Sequence, residues 1–145
     1  MKGTRAVNED FVSASARHAL DAEHLLGVNR PDNAGYLAGY AVECGLKAVI
    51  VLGGGQPRAY HHDIGALGGA ALQLAVLLAP GLRKYRTDRL PAVGILAAIW
   101  GPRLRYAATG SLTLAEATEL VDAARQVLEQ LVIPLVLDGR AGAPR

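Results

Sequence analysis

One long apolar segment constrains the fold of this chain more than any other feature. Residues 34–52 are apolar or glycine almost throughout, and their only charges are Glu43 and Lys47. The segment is long enough to raise the question of a transmembrane helix, but two charges near the centre of a lone span are costly. We therefore expect a buried helix in a helical bundle, with no membrane partner. Residues 1–10 lack the apolar core of a signal peptide, so the cytoplasm is the expected compartment.

The composition also favours helix packing. The 145 residues are 51% hydrophobic but only 5% aromatic, and alanine and leucine supply most of the apolar mass. Pleated sheets use β-branched and aromatic side chains instead. The single cysteine, Cys44, excludes an intrachain disulfide and a cysteine-based zinc site. We predict an all-α fold, an antiparallel up-and-down bundle of four to five helices, formed by one domain over residues 1–138 and followed by a flexible tail, 139–145.

Hydrophobic periodicity and turn residues predict five helices. We place them at residues 9–26, 33–52, 63–78, 88–100 and from a cap at Thr113 to the residue before Pro134. Asn8 is expected to cap the first helix, and Gly27 to end it as a left-handed glycine. Thr113 and Glu116 have the spacing of a capping box. Pro134 should close the last helix, which leaves residues 135–137 as a short extended arm.

Charged residues at apolar helix positions need partners. Glu23 falls in the apolar stripe of the first helix, and a buried carboxylate must be paired. Glu43 and Lys47 stand four residues apart with the acid first, the favourable order for an ion pair. Arg105 is a further candidate partner of Glu43, since a guanidinium binds a carboxylate with two hydrogen bonds. These residues are either a structural salt bridge or part of a polar pocket on the bundle.

Three other motifs are interpreted structurally. The glycines at 53–55 are followed by no Lys-Ser or Lys-Thr, so they indicate a helix end rather than a phosphate loop. His61 and His62 lack a third ligand nearby, and Asp63 suits a helix cap, so we predict no metal and no cofactor. Cys44 lies within an apolar helix, where we expect a buried and inert thiol.

The basic residues are concentrated in one part of the chain. The net charge is only +2, but six basic residues and a single acid, Asp88, lie between residues 83 and 105. The six are Arg83, Lys84, Arg86, Arg89, Arg103 and Arg105. Such a patch is either a phosphate-binding surface, with Tyr85 able to stack on a base, or a solvated loop.

Several segments occur in an order that is similar to a known family. The first helix carries His-Ala-Leu-Asp-Ala-Glu-His-Leu-Leu at 18–26, and Pro-Asp-Asn-Ala-Gly-Tyr at 31–36 leads into an Ala-x-Glu-x-x-x-Lys helix at 41–50. His62-Asp63-Ile64 begins the third helix, and Arg105-Tyr106 precedes the last one. In these features the chain resembles the HEPN family, the higher eukaryote and prokaryote nucleotide-binding domain. The resemblance covers residues 8–132 and depends on the order and spacing of the motifs.

The resemblance implies a four-to-five-helix bundle that usually dimerises and that binds a nucleotide or RNA. Many family members act in prokaryotic toxin–antitoxin or defence systems, some with a small nucleotidyltransferase as partner, and others are metal-independent RNases. The RNase members carry an arginine followed, four to six residues later, by a histidine near the start of the last helix. Here no histidine follows His62, and Ser111 stands in that place after Arg105. The RNase motif is therefore absent.

Three hypotheses about function follow. The leading one is a binding module, with no assigned catalytic residue, that offers a polar groove to a nucleotide, RNA or nucleotidyltransferase partner. Its predicted ligand-binding residues are Glu43, Lys47, His62, Arg103, Arg105 and Tyr106, and its predicted phosphate contacts are Arg83, Lys84, Arg86 and Arg89. The second is a metal-independent RNase with a displaced catalytic set of Arg105, His62 and Glu43. The third is a scaffold whose bundle surface binds another protein.

Overall fold

Five α-helices pack together around the apolar segment. In the computed structural model, which describes residues 9–73 and 91–137, they are α1 (Phe11–Gly27), α2 (Pro31–Leu52), α3 (Ile64–Gln73), α4 (Pro91–Ile99) and α5 (Leu114–Val127). Short 3₁₀ helices span Pro57–Tyr60 and Pro102–Tyr106, and a π-helical turn, Leu128–Val132, links α5 to a short α6, Ile133–Leu137. The described residues contain no strand, and the predicted all-α helical bundle is confirmed.

Helix α2 is the central element of the bundle. It packs against α1, α3 and α5, while α4 packs on α3 and α5. The largest fully buried side chains are Val42, Leu46, Val49 and Ile50 of α2, with Leu67, Leu96, Leu120, Val121 and Leu131 from the surrounding helices. By length and hydropathy alone α2 could also cross a membrane, a property that core helices of soluble proteins share. In the bundle, 61% of the most apolar 18-residue stretch of α2 is buried.

A close approach between α2 and the end of α4 seats the only tryptophan of the chain. The indole Nε1 of Trp100 donates a hydrogen bond to the carbonyl oxygen of Tyr36 at 3.0 Å. The ring lies directly over Gly39, where a Cβ atom would overlap the indole nitrogen. The glycine is therefore required by packing, and it places Trp100 beside the tyrosines of α2.

The ends of α1 differ from the prediction. The cap of this helix is Asp10, whose carboxylate accepts hydrogen bonds from the backbone N–H and the hydroxyl of Ser13 at 3.0 and 2.8 Å. The predicted cap, Asn8, lies outside the described residues. Gly27 is the last helical residue rather than the left-handed one, because Asn29 takes that conformation with φ 60°. Asparagine is one of the few residue types other than glycine that tolerate a left-handed backbone. The prediction that Gly27 takes this conformation was therefore wrong, because Asn29 takes it instead.

The last helix does not stop at Pro134. A π-helical turn precedes the proline, and α6 continues to Leu137, so the predicted extended arm at residues 135–137 was wrong. A proline inside an α-helix clashes with the carbonyl group four residues earlier and lacks a donor. The wider π turn, in which the N–H of Ile133 bonds to the carbonyl of Leu128, removes the need for that regular turn.

Local capping signals are confirmed. Thr113 Oγ1 accepts from the N–H of Glu116, and the Glu116 carboxylate accepts from the N–H of Thr113, both at 3.1 Å. Asp63 Oδ1 accepts from the N–H of Ala66 at 3.0 Å, as expected of a cap. The predicted helix end at residue 78, the predicted start at 88 and the tail 139–145 lie outside the described residues.

Glu23 has the partner that its position requires. The Nε atom of Arg125, on α5, donates to its Oε1 atom at 2.8 Å. The Glu23 side chain is 37% exposed, so it lies at the edge of the buried surface of α1 rather than within the core. The pair connects α1 with α5.

Candidate functional site

Four side chains on one face of α2 form a line that we call the polar stripe: Tyr36, Tyr40, Glu43 and Lys47. Spacings of three and four residues place them on the same side of the helix. Glu43 is buried, and the other three are half-buried. Because the rest of α2 is apolar, these polar groups need partners from other elements.

The Glu43 carboxylate is contacted by two basic side chains, one on each oxygen. The residue is only 3% exposed, and its Oε1 atom lies 2.7 Å from Nδ1 of His62. Its Oε2 atom accepts a hydrogen bond from Lys47 Nζ at 3.2 Å, which confirms the predicted pair. Lys47 is itself largely buried, with Nζ 5.8 Å from the ring centre of Phe11. The predicted Arg105 partner was wrong, because the loop before α3 brings His62 to this carboxylate instead.

His62 presents the other side of its ring to solvent. Its side chain is 47% exposed, and within residues 9–73 and 91–137 its Nε2 atom makes no hydrogen bond. An ionised carboxylate can only accept, so the Nδ1 of His62 is the donor to Glu43. The preceding residue, His61, has a φ of 48°, an uncommon backbone for a non-glycine residue. The turn therefore holds an accessible imidazole over a buried carboxylate.

Tyr40 lies at the centre of a group of aromatic rings. Edge-to-face contacts join it to Tyr36, Trp100 and His62, with ring centres 5.1, 5.0 and 5.8 Å away, and His18 of α1 lies at 5.9 Å. The Tyr36 hydroxyl donates to the Tyr40 hydroxyl at 3.4 Å. Burial, followed by this hydrogen bond, raises the pKa of Tyr40, so the phenol stays protonated. The rings fix Tyr40, and Tyr40 in turn supports His62.

His18 adds a ring but no charge to this group. Burial lowers the pKa of His18, the nearby Arg17 lowers it further, and Asp21 and Glu43 oppose the shift. A lowered histidine pKa leaves the imidazole neutral at neutral pH. His62 and Lys47 are therefore the groups that contact the two oxygens of the buried carboxylate.

Arg105 lies at the Tyr36 end of the polar stripe. Its guanidinium carbon is 4.8 Å from the ring centre of Tyr106, and a hydrogen bond with Tyr36, followed by the charge of Tyr106, raises the pKa of Arg105. Tyr106 is 76% exposed and Arg105 is also exposed. The 3₁₀ helix Pro102–Tyr106 thus presents a cation stacked on a phenol ring at the surface.

The structure brings together five of the ten predicted site residues. Glu43, Lys47 and His62 are in direct contact, and Arg105 and Tyr106 adjoin them through Tyr36 and Tyr40. Arg103 is exposed on the same 3₁₀ helix, and within the described residues it makes no hydrogen bond or ion pair with the stripe. The predicted phosphate contacts Arg83, Lys84, Arg86 and Arg89 lie outside the described residues.

Four members of the site were missing from the sequence prediction: His18, Tyr36, Tyr40 and Trp100. A signal for two of them was present, since Tyr36 and Tyr40 share the helical face of Glu43 and Lys47. Trp100 had no such signal, because its place depends on the close approach at Gly39.

Other predicted features have structural roles. Cys44 is buried, and burial raises the pKa of its thiol to about 12, so it is not a nucleophile at neutral pH. The glycines at 53–55 end α2, with Gly54 at φ 81°. Within the described ranges, no group of three or more histidine, cysteine or acidic residues is placed to hold a metal ion.

Comparisons with known proteins do not identify the chain. No family model, no curated protein and no solved structure matches it.

Proposed function

We propose that this chain is a HEPN-like module that binds a nucleotide or RNA across Arg105, Tyr106 and the polar stripe. The observation that carries the proposal is the exposed guanidinium of Arg105, whose central carbon lies 4.8 Å from the ring centre of Tyr106. A guanidinium binds phosphate oxygens through paired hydrogen bonds, and an exposed phenol ring offers a face on which a base can stack.

The surroundings of Arg105 support this use. The guanidinium has no carboxylate partner within residues 9–73 and 91–137, so its charge there is available to an anion. His62, in edge-to-face contact with Tyr40, adds a polar imidazole beside the same ring. A ligand that combines an aromatic base with a phosphate matches both kinds of group, whereas a purely apolar partner matches neither.

The resemblance to the HEPN family is the basis for a proposal about the biological role of the chain. The helical bundle and the position of Arg105-Tyr106 before the last long helix agree with the family's order of elements. On this basis we propose a cytoplasmic homodimer that acts in a prokaryotic toxin–antitoxin or defence system, with a small nucleotidyltransferase as a partner protein.

Fluorescence anisotropy tests the binding proposal directly. The probes are a short fluorescein-labelled single-stranded RNA and a fluorescent ATP analogue, each titrated at low and high salt with EDTA present. Binding of either probe should weaken as salt rises, because phosphate contacts release counterions. Arg105→Gln should weaken binding about tenfold or more, since a hydrogen bond to a charged group contributes roughly 1.5–3 kcal/mol.

Two further variants separate the site from general charge. Arg125→Gln removes the same charge from a residue that is already paired with Glu23, so its affinity should stay near that of the wild type. Arg105→Lys keeps the charge but loses the planar fork, so it should recover only part of the affinity. Equal losses in Arg105→Gln and Arg125→Gln would contradict the proposal. Failure of the wild type to bind either probe would do so as well and would favour the scaffold hypothesis.

A further inference from the structure

We infer that the turn at residues 60–63 is a strained strap that opens and closes over Glu43, the buried carboxylate of the polar stripe. The hydrogen bond between His62 and Glu43 holds the strap closed, and the backbone of His61 opposes closure. This inference goes beyond the proposed function, because it concerns how the carboxylate is covered and not what binds at the surface.

The four residues of the strap form a β-turn of a type that favours glycine. The N–H of Asp63 donates to the carbonyl oxygen of Tyr60 at 3.0 Å, which closes the turn. His61, the second residue, has φ 48° and ψ −117°, the backbone of the second position of a type II′ turn. Glycine dominates at this position, because a Cβ atom makes a positive φ unfavourable. The closed turn therefore holds His61 under backbone strain.

The strap is anchored on both sides, so movement is confined to its centre. Pro57 is buried where the preceding 3₁₀ helix begins, and Ile64 is buried at the first residue of α3. Between these anchors, the ion pair of Arg58 with Glu9 joins two exposed side chains. Exposed pairs contribute little to stability. Residues 61–63 are themselves exposed, so the turn can move without disturbing the core.

The contact that closes the strap is made by His62. Its Nδ1 atom donates to Glu43 Oε1 at 2.7 Å, and its ring packs edge-on against Tyr40 with the centres 5.8 Å apart. In the described part of the chain, this is the only hydrogen bond from residues 60–63 to α2. Hydrogen bonds to charged groups are stronger than those between neutral groups. One strong bond therefore opposes the strain of the turn and decides between the closed and the open state.

Opening of the strap uncovers the centre of the polar stripe. Glu43 is only 3% exposed in the closed state, and the oxygen that faces the strap is the one bonded to His62. Its other oxygen accepts from Lys47 of the same helix at 3.2 Å, so the carboxylate stays paired when the strap opens. The strap is thus a cover that the fold does not require. It limits the access of any partner to the Glu43 end of the stripe.

Amide hydrogen exchange, followed by NMR on the full chain, measures the opening of the turn. The reporter is the N–H of Asp63, which is bonded to Tyr60 only in the closed turn. His61→Gly relieves the strain, so the protection factor of this amide should rise at least about fivefold, which corresponds to about 1 kcal/mol. His62→Ala removes the closing bond, so the protection factor should fall at least about tenfold.

Two controls separate the strap from other effects. His61→Ala removes the same imidazole but keeps a Cβ atom, so the protection of Asp63 should stay near that of the wild type. The N–H of Glu116, which the side chain of Thr113 caps on α5, reports on a distant part of the same molecule. It should be equally protected in the wild type and in all three variants.

A second readout measures the uncovering of the carboxylate itself. A water-soluble carbodiimide couples an amine to accessible carboxyl groups, and peptide mass spectrometry locates the product. Coupling at Glu43 should slow in His61→Gly and speed up in His62→Ala, whereas Asp21, an exposed carboxylate of α1, should react equally in both.

Three results would overturn the inference. Equal protection of Asp63 in His61→Gly and His61→Ala would show that the turn carries no backbone strain. Unchanged protection in His62→Ala would show that the bond to Glu43 does not hold the strap. Coupling at Glu43 that does not follow the exchange of Asp63 would show that the turn does not cover the carboxylate.

Discussion

Substitution of Gly39 by alanine tests the packing that places Trp100 beside the site. The added Cβ atom would overlap the indole nitrogen, so the ring must move and its hydrogen bond to the Tyr36 carbonyl must break. Overpacking of this kind costs about 1–3 kcal/mol, and the lost hydrogen bond adds roughly 0.5–1.5 kcal/mol. The better helix propensity of alanine returns up to about 1 kcal/mol. We expect the free energy of unfolding to fall by about 2 kcal/mol.

Urea unfolding followed by tryptophan fluorescence measures this change, because Trp100 is the only tryptophan in the chain. The native emission of Gly39→Ala should also move to longer wavelength as the indole leaves its buried place. Gly94→Ala is the matched control, since nothing lies near a Cβ atom at that exposed position of α4. It should stabilise the protein by up to about 1 kcal/mol. If both variants shift stability in the same direction, the packing of Trp100 against α2 is refuted.

Two further predictions concern the carboxylate of Asp32, which accepts backbone hydrogen bonds, and the buried thiol of Cys44. The pKa of Asp32 is lowered by hydrogen bonds from the N–H groups of Gly110 and then Leu112. Its contribution to stability is present above about pH 3.9, the value in an unfolded chain, and is lost as pH falls through the lower folded value. Asp32→Asn should therefore lose less stability than the wild type during acid titration in urea, and an unchanged acid slope would contradict this. The thiol of Cys44, with a pKa raised to about 12, should react with a disulfide reagent near neutral pH only after unfolding. Rapid labelling of the native protein would show that α2 opens readily.

Local chemistry made much of the fold predictable. The capping box at Thr113 and Glu116, the cap at Asp63 and the Glu43–Lys47 pair each involve residues three or four apart, so sequence spacing determines them. The prediction that Pro134 ends the last helix was wrong because it depends on the backbone turn before the proline and not on residue spacing. Whether a proline ends a helix depends on the turn before it, and the π-helical turn at residues 128–132 is not encoded by any short motif.

The sequence predicted which residues belong to the site better than it predicted which of those residues are in contact. His62 and Arg105 were both candidates, but which of them reaches Glu43 depends on how the loop before α3 and the 3₁₀ helix Pro102–Tyr106 lie on α2. These are contacts between distant parts of the chain, and residue type does not discriminate between them. A guanidinium and an imidazole are both suitable partners for a carboxylate.

The buried pair within the polar stripe can be tested for its contribution to stability. Glu43→Met leaves the ammonium of Lys47, whose side chain is only 13% exposed, without its carboxylate. Breaking a buried pair in this way costs about 3–5 kcal/mol. Glu43→Met/Lys47→Met removes both charges and extends the apolar surface of α2 with unbranched side chains. We therefore expect the double variant to be more stable towards urea than the single variant.

Comparison of both variants with the wild type would show whether the charged pair in the centre of the apolar helix is there for stability or for the placement of His62. If the pair contributes net stability relative to apolar side chains, the double variant is less stable than the wild type. A double variant that is no more stable than Glu43→Met would refute the reasoning that an unpaired Lys47 destabilises the fold. If the double variant is at least as stable as the wild type, stability does not explain the carboxylate. The role of Glu43 is then to hold His62, whose Nδ1 lies 2.7 Å from its Oε1 atom, in place at the surface, and the desolvation cost of the carboxylate is accepted for that position.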